Sequence, residues 1–380
     1  MAVNQLGDSV LNFAVDLYSQ LAPKGDHKGN IFFSPFSISA ALSMALGGAR
    51  NKTAKEMSAV LRVPDDAQIH KHFSDFLSTL PSHAADVKLH IANRIYCEQT
   101  FPVLEGYLSL LRDSYDATIE SVDFRNDYEK VRLQANAWVE RATESKIRDL
   151  LPGGSVNALT TMILINAIYF KGLWASQFNP DATRPSDFHM DSKTKKQVDM
   201  MFCKDSYSMA SSKELDVEAL ELPYQGDRTS MVVLLPNDVE GLSKLEERLT
   251  ASSLANLLKD LRGIDEVELY LPKFKLEQAI SLKNVLQDMG IKDFFSSEAD
   301  LSGISEKKKL AASEVVHKAF VEVNEEGTEA AAATAVIMLA CCMSSLPPRT
   351  YKFIVDRPFM FVIRSRDSDV VLFMGSVRDL

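Results

Sequence analysis

The residues of this chain are not arranged as the common catalytic and metal sites require. The motifs of nucleophile elbows, zinc helices and phosphate-binding loops (G-x-S-x-G, H-E-x-x-H and G-x-x-x-x-G-K-[ST]) are absent. His70 and His72 are more typical of an exposed helical pair than of a metal site. His317 lies in an apolar run, which favours a hydrogen-bonded core histidine over a catalytic base. The sequence therefore favours a protein that is not an enzyme and that needs no metal or cofactor.

A different chemistry is indicated by residues 325–348, which read EEGTEAAAATAVIMLACCMSSLPP. The alanine content permits a helix, which Thr328 could cap. Alternation favours a strand instead, with one face made of small uncharged side chains: Thr328, Ala330, Ala332 and Thr334. The only charge falls on the opposite face, which carries Glu329, Ala331 and Ala333. Such a strand can slide between two existing strands without burying a charge.

The start of this segment resembles the hinge of an inhibitory serpin. The resemblance covers ten consecutive residues: Glu325, Glu326, Gly327, Thr328, Glu329, Ala330, Ala331, Ala332, Ala333 and Thr334. Other serpin patterns follow in order along nearly the whole chain. The first is Asn30–Ile38, which contains Ser34 and Ser37, the serines of the family's shutter region. The second is Asn166–Trp174, which begins with Asn166 on the central strand and ends with Trp174, the tryptophan of the family's breach region. His317, the shutter histidine, and the C-terminal strands Asp356–Phe359 and Phe373–Val377 follow.

One departure from the family pattern concerns the helix that crosses the main sheet. Asn136–Leu151 resembles that helix, but Ser145 stands where many family members have glycine. The stretch Gly47–Thr53 and the C-terminal strands are similar to arthropod serpins, including those of ticks.

The resemblance implies a single α+β domain over residues 1–380, with three β-sheets, eight to nine helices and an exposed reactive-centre loop at about residues 325–348. It implies a metastable fold that inhibits serine proteases irreversibly. The protease is acylated as it cuts the loop, the loop inserts into the main sheet as an extra strand, and the enzyme is distorted in a covalent complex. Serpin loop insertion is a known case of β-strand addition. Thr328 would enter the sheet with the rest of the strand.

Counting from the hinge as in family members places the reactive site at Cys341–Cys342, whereas counting back from Pro358 leaves Ala340, Cys342 or Met343 as alternatives. No Lys or Arg lies between Thr328 and Pro348, which argues against trypsin-like targets. The expected target is an elastase-like or chymotrypsin-like serine protease, with a papain-like cysteine protease as an alternative. A non-inhibitory serpin that acts as a carrier or chaperone is the second hypothesis.

The formal charge of −10 argues against nucleic acid or an anionic membrane as a partner. No strong basic helix supports a glycosaminoglycan, and a monomer is expected. The N-terminus lacks a signal-peptide pattern, yet the sequon at Asn51 makes this residue a glycosylation candidate and favours secretion. A cytoplasmic location is the alternative, and it is compatible with four cysteines that are too few for a disulfide framework.

The elements that must position these residues can be predicted from hydrophobic patterning. Three helices are expected: Val10–Leu21, a buried Ser37–Leu46, and an amphipathic Asn136–Leu151 that ends before Pro152. Met162–Phe170 is a continuous β-rich apolar run, typical of a strand buried on both faces. Further strands are expected at Ser230–Leu235 and Val267–Leu271, and at a terminal pair, Phe359–Ile363 with Val370–Met374.

Overall fold

The computed structural model describes residues 2–22, 29–63, 68–80, 87–307, 309–328 and 350–380. Nine α-helices lie in these residues: α1 (Ala2–Leu21), α2 (Pro35–Gly48), α3 (Asn51–Leu61), α4 (Gln68–Thr79), α5 (Glu105–Tyr115), α6 (Phe124–Ala142), α7 (Leu242–Arg248), α8 (Ala251–Lys259) and α9 (Lys283–Met289). The strands are β1 (Ile31–Phe33), β2 (Val87–Glu98), β3 (Thr118–Val122), β4 (Met162–Leu173), β5 (Arg184–His189), β6 (Lys195–Ser212), β7 (Val217–Pro223), β8 (Thr229–Pro236), β9 (Arg262–Pro272), β10 (Phe274–Ser281), β11 (Glu314–Val323), β12 (Gly327–Thr328), β13 (Tyr351–Ile354), β14 (Phe359–Ser365) and β15 (Val371–Val377).

The strands of the described residues form two hydrogen-bonded sheets. The six-stranded sheet has the order β10-β11-β12-β4-β2-β3, and β11 also pairs directly with β4. The nine-stranded sheet runs β1-β15-β14-β8-β7-β6-β9-β13, with β5 attached to β6. This sheet has two parts, β1-β15-β14-β8-β7 and β5 with β9-β13, and among the described strands the long strand β6 joins them. The C-terminal end of β6 pairs with β7, and its earlier residues pair with β5 and β9. Counted separately, these parts give the three sheets that the resemblance implies, and the α+β class is confirmed.

The central strand β4 is buried on both faces, as its apolar sequence predicts. Its even-numbered apolar residues, such as Leu164 and Ile168, pack into the large core between the two sheets. Its odd-numbered residues, such as Ile163 and Ile165, pack into a second core beneath α6. The buried helix α2 lies on the first of these faces, with Ser34 as its N-cap. Insertion into this sheet would therefore disturb two separate cores.

The predicted helix Asn136–Leu151 is wrong in its second half. Helix α6 ends at Ala142, and residues 143–151 form turns. Thr143 accepts a hydrogen bond from the backbone N–H of Ile147 at 3.2 Å, and Ile147 and Leu150 are buried in the second core. Tertiary packing of these apolar side chains thus overrides the local helix propensity. The other predicted helices and strands are present, but α1 begins at Ala2 rather than Val10 and β9 begins at Arg262 rather than Val267.

Among the described residues, no helix combines the length and apolar character needed to cross a membrane. Cys97 is buried and Cys203 is half-buried, and neither is disulfide-bonded. Burial raises the pKa of the Cys97 thiol to about 12 and also raises the pKa of Cys203. These two thiols are therefore protonated at neutral pH and poor nucleophiles.

Candidate functional site

The six-stranded sheet contains a seam between β4 and β11. The two strands pair in parallel over seven residue pairs, from Ile163 with Glu314 to Tyr169 with Phe320. Beyond these pairs they separate, and the two-residue strand β12 lies between them. Thr328 of β12 pairs with Val323 on β11 and with Gly172 on β4, antiparallel to both. The seam is therefore closed along most of its length, and at one end the hinge residues Gly327 and Thr328 lie between β4 and β11.

Gly327 occupies a position in β12 that no other residue can fill without rearrangement. Its φ is +155°, and an added Cβ would lie 2.1 Å from the carbonyl oxygen of Gly172. Its N–H donates to Asn324 Oδ1 at 3.3 Å, and its carbonyl accepts from the Asn324 N–H at 2.9 Å. Glycine thus allows the chain to turn after β11 and to approach β4 closely.

Thr328 is already buried in the uncleaved chain. Its side chain is 0% exposed, and its hydroxyl lies 2.9 Å from the hydroxyl of Tyr224. Trp174 stacks on Tyr224 with ring centroids 4.5 Å apart and donates from Nε1 to the Asn324 carbonyl at 3.0 Å. The expectation that Thr328 enters the sheet only after cleavage is therefore wrong, because the hinge is seated at the breach beforehand.

The first hinge residues are fastened to neighbouring elements. Glu325 forms an ion pair with Lys273 at 2.9 Å and accepts a hydrogen bond from the Thr183 hydroxyl at 2.8 Å. Burial alone would raise the pKa of Glu325, but the hydrogen bonds from Lys273 and Thr183 keep it below its ordinary value. The carbonyl of Glu326 accepts from the Trp174 backbone N–H at 2.9 Å. Glu325 is thus held by Lys273 and Thr183, and Glu326 is held by Trp174.

Further along the seam from β12, four buried polar residues form one cluster: Ser34, Ser37, Asn166 and His317. Asn166 on β4 and His317 on β11 are register partners, and His317 Nδ1 is hydrogen-bonded to Asn166 Oδ1. Asn166 Nδ2 donates to the carbonyl of Ser37 at 3.1 Å and also to its hydroxyl. Ser34 Oγ donates to the Leu372 carbonyl at 2.6 Å and accepts from the Ser37 N–H at 3.1 Å. A direct side-chain bond therefore crosses the seam.

The protonation state of His317 follows from its partners. The Ser34 backbone N–H donates to His317 Nε2 at 3.1 Å, so Nε2 must be an acceptor. Nδ1 then carries the proton and donates to Asn166, which agrees with the donor role of the Asn166 amide nitrogen. Burial lowers the pKa of His317 to about 3 because the imidazolium cannot be solvated there. The histidine is neutral at physiological pH.

Three residues of this region escaped the sequence analysis. Asn93 on β2 pairs with Asn166 and accepts a hydrogen bond from its amide, which extends the polar row across three strands. Asn324 and Tyr224 hold Gly327, Thr328 and Trp174 at the breach. A lone Asn in the alternating run of β2 was the only available signal for Asn93, and its meaning depends on a strand pairing that the sequence does not show.

Several predicted site residues lie outside the described residues. These are Cys341 and Cys342 of the reactive site and the later hinge residues Glu329, Ala330, Ala331, Ala332, Ala333 and Thr334.

Asn51, the glycosylation candidate, is exposed at the start of α3. Its amide donates to Asp300 at 2.7 Å, and Thr53 of the same sequon is 1% exposed.

The described ranges hold no group of three or more His, Cys, Asp or Glu side chains placed to bind a metal ion. The expectation of an exposed histidine pair on α4 is wrong in part. His72 is only 9% exposed, and Nδ1 of the half-buried His70 lies 2.6 Å from the Tyr115 hydroxyl. The side chains that the structure brings together therefore offer packing and hydrogen bonding rather than a catalytic constellation.

Comparison with known proteins agrees with this architecture. The family model described as serpin (serine protease inhibitor) matches residues 8–380. The protein Ipis-1 of Ixodes persulcatus is 60% identical over 376 residues, with 99% of each chain covered. The leukocyte elastase inhibitor of Sus scrofa is 43% identical, with 98% of this chain and 99% of that protein covered. The structure of human thyroxine-binding globulin complexed with its ligand is 29% identical, with a TM-score of 0.89 and coverage of 100% and 99% of the two chains. The chain therefore belongs to the serpin (serine protease inhibitor) family, several of whose members are named as inhibitors rather than as catalytic enzymes.

Proposed function

We propose that this chain is an irreversible suicide-substrate inhibitor of serine proteases, in which the cleaved loop inserts as an added strand between β4 and β11. The observation that carries the proposal is β12. Its two residues already lie between the two strands, in antiparallel register with both, at the place where an inserted strand would begin. Strand addition at this point continues an existing ladder as the seven pairs between β4 and β11 separate.

Continuing that register gives each loop residue a defined level in the sheet. Two residues beyond Thr328, Ala330 would lie level with Phe170 and Val321, both of which face the large core. Six residues beyond Thr328, Thr334 would lie level with Asn166 and His317. The small side chains would thus meet large apolar neighbours, and the one later polar residue on this face would meet the polar cluster.

The same register separates the two faces of the inserted strand. Glu329 would lie level with the half-buried Lys171 and Glu322, on the face away from the large core. No charged side chain of residues 328–341 would then enter the large core. The 14 residues from Thr328 to Cys341 would span roughly 45 Å when extended, which moves a tethered protease from one end of the sheet toward the other.

An elastase-like or chymotrypsin-like enzyme is the proposed target. The segment after the hinge offers small or apolar side chains near Cys341 and no basic residue, which suits such specificity pockets. The name of the relative that is 43% identical, leukocyte elastase inhibitor, favours an elastase. A papain-like cysteine protease is the alternative target class.

The proposal is tested by mixing the protein with elastase, chymotrypsin, cathepsin G and trypsin and resolving the products on denaturing gels. We expect covalent complexes with at least one of the first three and none with trypsin. Cleavage of the loop by all four enzymes without any stable complex would contradict the proposal.

A matched pair of loop variants tests the register. Ala330→Arg would place a cation between Phe170 and Val321, so insertion should stall and the variant should be cleaved as a substrate, with at least tenfold less complex. Glu329→Arg, one residue earlier on the opposite face, should keep most of the complex. Equal complex yields from the two variants would contradict the register.

A carrier is the second candidate function, because the fold is similar to that of thyroxine-binding globulin complexed with its ligand. Loop cleavage without trapped protease in the gel assay would favour it. Secretion, glycosylation at Asn51 and a monomeric state stay predictions.

A further inference from the structure

A cavity of about 710 Å³ lies between the end of α2, the start of α3 and the helices α4 and α5. The apolar side chains that line it are Leu46, Ala49, Ala54, Leu104, Tyr107 and Leu110. Its size and its mostly apolar lining are typical of small-molecule sites. None of the described hinge residues 325–328 lines the cavity, so a ligand there would not touch them.

Arg50 provides a positive charge at the rim of this cavity. Its Nη1 donates to the carbonyls of Gly47 at 3.0 Å and Ala49 at 2.7 Å, which fixes the guanidinium against the end of α2. The guanidinium also lies against Gly303, where an added Cβ would be 2.5 Å from Nη2. Within the described ranges, Nη2 and Nε donate to no other group and no acid forms an ion pair with Arg50. One edge of a fixed guanidinium is therefore open to a planar carboxylate.

The start of α3 lies at the same rim and adds to the positive potential. Arg50 is the N-cap of this helix, and no side-chain hydrogen bond caps it, so the positive end of the helix dipole is uncompensated there. The neighbouring acid Asp300 accepts from the Asn51 amide and from the Ser302 hydroxyl, both at 2.7 Å. Neutral donors thus hold the Asp300 carboxylate, and the open edge of Arg50 stays available.

The apolar wall of the cavity is incompletely covered. Leu104 and Leu110 are half-buried, whereas Leu46 and Tyr107 beside the same cavity are only 6% and 3% exposed. An alkyl chain in the cavity would remove the remaining surface of the two leucines from water, which is favourable in proportion to the area covered. The cavity therefore combines an anion-binding rim with an apolar wall.

We propose that this cavity binds a free medium-chain fatty acid or a similar amphipathic carboxylate. The carboxylate accepts hydrogen bonds from Arg50 at the start of α3, and the alkyl chain lies against Leu104 and Leu110. A single guanidinium matches the single charge of a carboxylate, whereas a phosphate dianion would need a second cation.

Isothermal titration calorimetry of the full chain with hexanoate, octanoate, decanoate and decanol tests the chemistry of the ligand. Each further methylene that is buried should tighten binding about threefold to fourfold, so decanoate should bind most tightly of the three acids. Decanol, which lacks the carboxylate, should bind at least about tenfold more weakly than decanoate. Equal affinities for hexanoate and decanoate, equal affinities for decanol and decanoate, or no binding of any of the four would overturn the proposal.

Variants of Arg50 test the carboxylate contact. Arg50→Met should weaken the binding of decanoate at least about tenfold and leave the binding of decanol unchanged. Arg50→Lys keeps the charge without the planar fork and should lose less affinity. Arg62→Met is the matched control, because Arg62 lies at the other end of α3 and pairs with Asp16 at 2.9 Å. Wild-type affinity in Arg50→Met, or an equal loss in Arg62→Met, would overturn the role of Arg50.

Photolabelling of the wild-type chain locates the alkyl chain without any substitution, which matters because Arg50 also bonds the end of α2. Decanoate with a diazirine at its methyl end should label residues 46–54 and 104–110, and excess decanoate should prevent this labelling. Labelling confined to other parts of the chain would overturn the site, even if decanoate binds.

Discussion

At the scale of single residues, His317 is a buried titratable group whose side chain bonds across the seam. It receives a hydrogen bond from the Ser34 N–H on one side and donates to Asn166 on the other, so both ring nitrogens are satisfied only in the neutral state. Protonation would place a second donor against the Ser34 N–H and a charge inside the core. The cluster therefore stabilises the closed seam only while His317 is neutral.

This arrangement predicts a pH dependence of stability. The pKa of His317 is lowered to about 3 in the folded chain, and an unfolded chain titrates near about 6.5. Between these values the unfolded state binds a proton that the folded state excludes. The stabilisation is therefore complete above about pH 6.5 and declines as the pH falls toward 3, by at most about 1.4 kcal/mol per pH unit.

Urea unfolding at pH 7.5, 6.0 and 5.0 measures this loss. His317→Gln should reduce the fall in the unfolding midpoint between pH 7.5 and 5.0, because the titrating group is gone. The control His189→Gln, on the strand β5 of the other sheet, should keep the wild-type dependence. An unchanged pH dependence in His317→Gln would assign the effect to other groups.

The sequence could predict His317, Asn166 and the two serines because each lies in a local pattern of the family. Asn93 carries no such pattern, although it accepts a hydrogen bond from Asn166. Its place in the cluster arises from the register between β2 and β4, which pairs Asn93 with Asn166, 73 positions away in the chain. Local sequence does not determine a contact of this kind.

At the scale of elements, β12 links the sequence most directly to the proposed function. The small residues after Gly327 predicted a segment able to become a strand, but a two-residue strand cannot be predicted from alternation, because it depends on the gap between β4 and β11. The helix predicted over Asn136–Leu151 failed for a related reason. Its apolar residues are buried against the sheet in a conformation that a continuous helix does not offer.

Gly327→Ala should displace β12 from the seam. The added Cβ would lie 2.1 Å from the Gly172 carbonyl, and neither backbone can move without breaking the ladder. We expect the free energy of unfolding to fall by roughly 2 kcal/mol and the fluorescence of Trp174 to change as the hinge leaves it. Gly153→Ala, where an added Cβ meets nothing within 4 Å, is the matched control and should melt like the wild type. A wild-type melting curve for Gly327→Ala would contradict the close packing at the hinge.

At the scale of the whole molecule, the six-stranded sheet lies between two separate cores. The larger core joins this sheet to the nine-stranded sheet, and the smaller core joins it to α6 and to residues 143–151 that follow α6. The fold class and five of the fifteen strands followed from the sequence, since long apolar or alternating runs need only local information. The division into two cores did not, because it depends on which element covers each face. That residues 1–380 behave as one domain stays a prediction.

The central claim is that the uncleaved fold is less stable than the fold with the loop inserted. The most direct measurement compares the melting temperatures of the intact protein and of the protein nicked in the loop by a protease that cleaves without being trapped. The account predicts that the nicked protein melts at least about 4 °C higher, a shift that corresponds to about 3 kcal/mol in a chain of 380 residues. A nicked protein that melts at or below the temperature of the intact one, with residues 329–341 still open to further digestion, would contradict the account.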